Sequence, residues 1–229
     1  DTGTLLFYVH HPEGFSTRNL VEIAKEAVVN ATKEGYLRQN SVDSLTGENK
    51  GMNVGPGHPA FHFQEVEGDE VEIKLMLKGG GSENSSAQYA LPYAPLGAGR
   101  DLVGVRKVIL DAVYQAQGKG CGPGILGVCI GSDRGHGHLV AKEQLLRKLD
   151  DRNKNSTLAE LEEDIFSTAN RLGIGPMGFG GKTTLLGCKI GVENRLPASF
   201  FVSVAYNCWA YRRQGVALDG NGTIAKWLY

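Results

Sequence analysis

Residues 173–192 read GIGPMGFGGKTTLLGCKIGV, and two folds compete for them. A glycine-rich loop ending in Gly181-Lys182-Thr183 suggests the phosphate-binding loop of a parallel α/β protein, which joins a strand to a following helix. That pattern requires glycine five positions before Gly181, where this chain has Pro176. The flanks run the wrong way as well. Thr157 with Glu160 three residues later reads as a capping box opening a helix over 158–172, so a helix leads into the loop. LLGCKIGV then alternates as a strand over Leu185–Val192. Helix, loop, strand is the reverse of the nucleotide-binding order. The loop amides and Lys182 retain the means to bind an anion, so a phosphate- or nucleotide-binding module using Gly175–Thr184 stands as the reading from another class.

Working outward, Leu5–Val9 reads as a buried strand. Leu20, Ile23, Ala27, Val28 and Ala31 recur at helical spacing over Thr17–Glu34, with Gly35 to close that helix. Phe61–Val66 and Val71–Leu77 flank Glu67-Gly68-Asp69-Glu70, which predicts a hairpin. A second amphipathic helix spans Asp101–Gln117 and ends at Gly118. Gly124–Ile130 reads as a strand, Leu139–Leu149 as a helix and Ser199–Tyr206 as a strand. With no internal repeat and no low-complexity linker, the expectation is one domain over 1–229. Its class is α+β, with mixed, partly antiparallel sheets flanked by helices.

Lys and Arg number 24 against 25 Asp and Glu, a balance that leaves no electrostatic footprint for nucleic acid or anionic lipid. The longest charge-free apolar stretch, Ala198–Tyr211, contains Ser203 and Asn207 and is too short to span a bilayer. The first ten residues lack the basic and apolar regions of a secretory signal. An intracellular, cytoplasmic protein is expected. Glycine stands out, with 32 of 229 residues, about twice the usual share of ~7%. Much of it falls in four runs, 51–57, 79–81, 118–127 and 173–181, where backbone can approach a ligand closely.

Asp1-Thr2-Gly3 matches the aspartic-protease triplet, but no second Asp-Ser/Thr-Gly occurs and the chain is about twice too long for the dimeric type. Four cysteines without a Cys-x-x-Cys disfavour a zinc ribbon or a dithiol motif, and disulfides are not expected in an intracellular chain. Cys129 and Cys188 lie within apolar strand patterns and read as core residues. Cys121, in GKGCGPG, and Cys208, at the end of FFVSVAYNC beside Arg212-Arg213, have ligand-like settings. His136 and His138, between glycines, read as a loop.

KGGGSEN, CGPGILGV, AKEQLLRKL, GIGPMGFGGKT and CWAYRR, in this order, resemble the α-subunit, or N-terminal domain, of the iron-sulfur class I fumarases and L-tartrate dehydratases. The resemblance covers essentially the whole chain. It implies a [4Fe-4S] cluster held by three cysteines with one iron open to substrate, Cys121 and Cys208 matching the second and third. The first belongs to a Cys-Gln-Asp-Thr-Gly motif of which DTGT resembles the end, so that cysteine is expected just before Asp1. Asp1 then matches an active-site aspartate, Arg38 the arginine that binds a substrate carboxylate, and Gly79, Gly80 and Gly81 the backbone that meets substrate. Lys182 and Arg212 or Arg213 are implied in proton movement or in setting the cluster potential.

The implied reaction is reversible hydration of fumarate to L-malate, with L-tartrate dehydration the alternative. The implied partners are a β-subunit carrying the rest of the site and a second α-subunit. Where the family pattern has Arg-His-Pro-Ala-Ser, this chain reads Arg195-Leu196-Pro197-Ala198-Ser199. That substitution, with the cysteine expected ahead of Asp1, leaves a non-catalytic scaffold subunit as a third reading.

Overall fold

The computed structural model describes residues 3–229, so the expectation for Asp1 lies outside the described residues. It has two mixed sheets and five helices, the α+β class that the sequence implies. The described chain forms two compact units, one running up to Gly80 and resuming over Tyr211–Tyr229, the other spanning Gly81–Ala210.

The first unit holds a five-stranded sheet. Its strands are β1 (Thr4–His11), β2 (Ala60–Glu65), β3 (Val71–Lys78), β8 (Arg212–Leu218) and β9 (Ile224–Trp227), in the order β2-β1-β3-β8-β9. Leu5, Leu6, Tyr8 and Val9 are all buried. An apolar run of this kind belongs in a central strand. Accordingly β1 pairs with β2 in parallel and with β3 antiparallel. The expected hairpin is therefore corrected: β2 and β3 do not pair, because β1 lies between them, and residues 66–70 arch over its end, where the Val66 amide donates to the His11 carbonyl. Helix α1 (Thr17–Lys33) is capped by the Ser16 side chain and ends as expected at Gly35, which takes the left-handed φ of +82°.

The second unit is built on a four-stranded sheet, β4 (Ala87–Ala90), β7 (Phe201–Cys208), β5 (Gly124–Ile130) and β6 (Leu185–Val192), in that order. Only β5 and β6 run parallel. Every residue of β5 is buried. The period of two explains how. Leu126, Val128 and Ile130 join the core formed with helices α3 (Leu102–Ala116) and α5 (Ser156–Arg171). On the other face Gly127 lets helix α4 (Arg134–Gln144) approach so closely that a Cβ there would sit 2.1 Å from the Ala141 carbonyl oxygen.

Two local expectations are corrected. Asn155, not Thr157, caps α5, its side chain accepting from the Thr157 and Leu158 amides. His136 and His138 lie on α4, which begins at Arg134 because Asp133 accepts from the Gly135 and His136 amides.

Candidate functional site

The antiparallel pairing of β5 with β7 sets Gly124 opposite Cys208. One end of the second sheet therefore carries both the end of β7 and the loop that feeds β5, and that loop holds Cys121. Cys121 is exposed, with a φ of +58°, and its amide donates to the Gly118 carbonyl at 3.2 Å; Cys208 is half-buried. The strand pairing thus brings the two sequence-predicted ligands to the same sheet end.

The motif KGGGSEN meets Cys208 at this end. β4 pairs with β7 only over Phe201–Val204, leaving the outer edge of residues 205–208 without a strand partner. The short helix α2 (Gly80–Asn84) and its exit fill that edge. Ser86 Oγ accepts from the Tyr206 amide and Ser82 Oγ from the Cys208 amide, each at 3.2 Å, and Ser82 is buried. A backbone donor at a sheet end needs such an acceptor when no strand supplies one. Gly81 adjoins the same loop, its Cβ position lying 3.8 Å from the Lys119 carbonyl oxygen.

The glycines of the Cys121 loop are close-approach residues. A Cβ at Gly120 would lie 2.1 Å from Tyr206 Cε1, one at Gly124 2.4 Å from Cε2, and one at Gly122 3.2 Å from the phenol oxygen. One step back, a Cβ at Gly118 would lie 2.0 Å from the Met177 carbonyl oxygen, so the two glycine-rich loops touch backbone to backbone. The Gly124 amide donates to the Thr184 carbonyl at 2.9 Å. Asn170 on α5 fixes this corner, accepting from the Thr184 and Leu185 amides at 2.7 and 2.9 Å and donating to the Leu185 carbonyl at 3.2 Å. Lys182 is exposed and lies two residues before Thr184, on the segment that borders the Cys121 loop.

This geometry weakens the phosphate-loop alternative. A helix precedes the loop and β6 follows it. The amides of Gly175, Gly178, Phe179 and Gly180 already donate to Thr184 Oγ1 and to the carbonyls of Gly175, Pro176 and Ile174. A phosphate cradle needs such amides pointing outward.

Burial pushes the Cys129 thiol up to about 12, helped by Glu193, and raises the Cys188 thiol too. Both are core residues, as their strand patterns imply. Burial also pushes the Tyr206 phenol up to about 12, with Cys208 and Cys121 acting in the same direction. Among the described residues no group of three or more His, Cys, Asp or Glu is arranged to hold a metal ion.

Arg38 and Gly79 belong to the first unit. Arg38 is exposed in the loop after α1, and the loop is fixed by Asn53, which is fully buried with a φ of +63°. Asn53 donates to the Arg38 carbonyl and to Thr32 Oγ1, and accepts from the Asn40 and Ser41 amides. The glycines around Asn53 signal a tight loop, but not a buried amide inside it. Lys78, which closes β3 directly before Gly79, is also fully buried and was missed from sequence. A lysine ending an apolar strand just before three glycines was the available sign.

Leu196 lies elsewhere. The Ser132 amide donates to the Asn194 carbonyl, and Gly131 to Phe201 at the start of β7. The eight residues of β7 span roughly 23 Å at about 3.3 Å each, so position 196 is at the opposite sheet end from Cys208. His136 and His138, on the helix that follows β5, also lie toward that far end. The sequence reading did not single out Tyr206, Ser82, Ser86 or Asn170.

Two mixed sheets, with thiols converging at one sheet end against a serine-bearing glycine turn, define a class of architecture. The fumarate hydratase (Fumerase) family profile matches residues 1–217, and the chain belongs to that family. A protein of Geobacillus stearothermophilus provisionally named class I fumarate hydratase is 58% identical over 233 residues, covering 100% of this chain and 45% of its own length. The chain thus spans about half the length of that relative. A provisionally named L(+)-tartrate dehydratase subunit alpha of Methanocaldococcus jannaschii is 35% identical, over 93% of this chain and 75% of its own. The L(+)-tartrate dehydratase subunit alpha of Escherichia coli is 32% identical, over 93% and 69%. Among the described residues no helix is long and apolar enough to cross a membrane.

Proposed function

We propose that this chain is the α half of a hydro-lyase that reversibly hydrates fumarate to L-malate, with L-tartrate dehydration as the second reading. The observation that carries it is the meeting, at one sheet end, of Cys121, Cys208 and the Gly81-Ser82 turn, in a chain related to class I fumarate hydratase and tartrate dehydratase subunits.

The donor set suits two legs of an iron-sulfur cluster. Both thiols stand at least partly open at one sheet end, where a cluster can reach them, whereas Cys129 and Cys188 are sealed in the core. The third leg is assigned to a cysteine preceding Asp1. When bound, a [4Fe-4S] cluster with one iron free of thiolate supplies a Lewis acid for the departing hydroxyl.

The chain's own groups do the rest. The Arg38 guanidinium binds one substrate carboxylate through two parallel N–H···O bonds, which fixes its orientation. The Gly79–Gly81 backbone meets the substrate at close range because no Cβ intervenes. Asp1 accepts or holds a proton at its carboxylate, and the Lys182 ammonium offsets developing negative charge or passes a proton from Nζ.

The remaining acid–base and carboxylate-binding groups are assigned to a β-subunit, and pairing of α-subunits is proposed with it. Relatives named subunit alpha, and a relative about twice as long, support that division. The test is anaerobic purification with the β partner, cluster reconstitution, and assay with fumarate, L-malate and L-tartrate. Turnover of one pair is expected. A fully loaded complex that turns over none of them overturns the reading.

A further inference from the structure

We propose that Tyr206 is a positioning residue that sets the spacing of the Cys121 and Cys208 thiols, its ring acting as the former around which the Cys121 loop is wound. The proposal rests on reading these cysteines as ligands of one cluster, but the spacing itself can be measured without any cluster.

Alternation along β7 puts the Tyr206 and Cys208 side chains on one face of the strand. The Tyr206 backbone is fixed twice, by register with Leu126 of β5 and by donation of its amide to Ser86 Oγ. From that fixed point the ring runs beneath the loop. Gly120 closes on one ring edge, Gly124 on the opposite edge and Gly122 on the hydroxyl tip, with would-be Cβ distances of 2.1, 2.4 and 3.2 Å. The loop thus touches the ring at every second residue, and Cys121 is carried between the first two grips. A non-glycine residue at a φ of +58° persists where its surroundings over-determine it. The ring provides that constraint. Groups behind a metal ligand fix its orientation and so its affinity. Here one side chain would do so for two ligands, through the loop for Cys121 and through the strand for Cys208.

If the ring were only core filling, a smaller apolar side chain would lower stability and leave the thiol spacing unchanged. Phenylarsine oxide separates the two cases, since it condenses with two neighbouring thiols, forming two As–S bonds and releasing one water. Wild type should bind one equivalent, and Cys121→Ser should abolish capture. Tyr206→Phe, which keeps the ring, should bind within about twofold of wild type. Tyr206→Leu and Gly120→Ala should bind at least tenfold more weakly, while a monofunctional alkylating agent still finds Cys129 and Cys188 protected. Gly122→Ala, the mildest displacement, decides the matter if the larger changes unfold the chain: capture several-fold weaker supports the proposal and unchanged capture overturns it. Wild-type binding by the folded Leu and Ala variants, or no capture by wild type, also overturns it. An assembled enzyme without hydro-lyase activity whose thiols still capture the arsenical would strike the functional reading alone.

Discussion

Replacing Glu162 by alanine should cost the fold roughly 3–5 kcal/mol, the usual penalty for removing one partner of a buried ion pair. The Glu162 carboxylate is buried on α5 and accepts from the Ile190 amide at 2.7 Å, from Arg147 Nη1 at 2.7 Å and from Asn153 Nδ2 at 2.9 Å. Without it, the Ile190 amide faces away from β5 with no acceptor, a loss of about 1–3 kcal/mol by itself. Arg147 would lose this charge partner while keeping Asp151. At about 2–4 °C per kcal/mol for a chain of this size, the midpoint should fall by roughly 6–20 °C. Glu162→Gln keeps an acceptor for Ile190 and loses the charge, so its loss should be smaller, about 1.5–3 kcal/mol. Urea unfolding followed by circular dichroism, with unchanged m, is the assay. A loss below about 1 kcal/mol in the alanine variant, the size of an average substitution, would refute the view that this carboxylate ties α5 to β6.

Arg147 and Lys189 hold the Asp151 carboxyl below the usual carboxylate range, although its partial burial alone would raise it. Its contribution is therefore present above the unfolded value of about 3.9 and lost as pH falls through the lower folded value, so Asp151→Asn should flatten stability against pH below about 4. Native alkylation at neutral pH should modify Cys121 first and spare Cys129 and Cys188, checked by peptide mass; early labelling of Cys129 would contradict its core position. In the assembled enzyme Arg38→Lys would keep the charge but lose the two-pronged carboxylate contact proposed for Arg38, and kcat/KM should fall about 10- to 100-fold. If the third ligand is the cysteine proposed to precede Asp1, then after anaerobic reconstitution this chain should hold less iron and sulfide than one extended by that cysteine. Equal four-iron loading would make Cys129 or Cys188 a ligand.

Legibility followed locality. β5 has the bounds expected from its apolar run, because a strand covered on both faces needs continuous hydrophobicity, and the edge strand β6 has those expected from its alternation. α1 and α3 follow equally from their periodicity. The start of α4 was hidden by two glycines in its first turn, where Asp133 decides the boundary. β8 and β9 went unseen, since β8 opens on Arg212 and Arg213 and the exposed edge strand β9 has little apolar pattern to read. The hairpin error has the same root: adjacency in sequence does not reveal that β1 takes the place between β2 and β3. At the candidate site the ligand-like settings of Cys121 and Cys208 were legible one by one. Their convergence depends on the register of β5 against β7, and the roles of Ser82, Ser86 and Asn170 on packing between distant segments.

In the first sheet β3 and β8 are neighbours, with Leu77 opposite Arg212. The whole second unit is therefore spliced into the interval between two hydrogen-bonded strands. Closing an unstructured excursion of roughly 130 residues would cost on the order of 4 kcal/mol in chain entropy. Once residues 81–210 have folded, most of that cost has already been met, provided their two ends emerge close together. The connectivity therefore favours an order of assembly in which the inner unit folds first and β8 and β9 dock late, an order that pulsed hydrogen exchange during refolding would read. A lesion in the inner unit would be felt twice, locally and as delayed closure of a sheet whose own residues are unchanged.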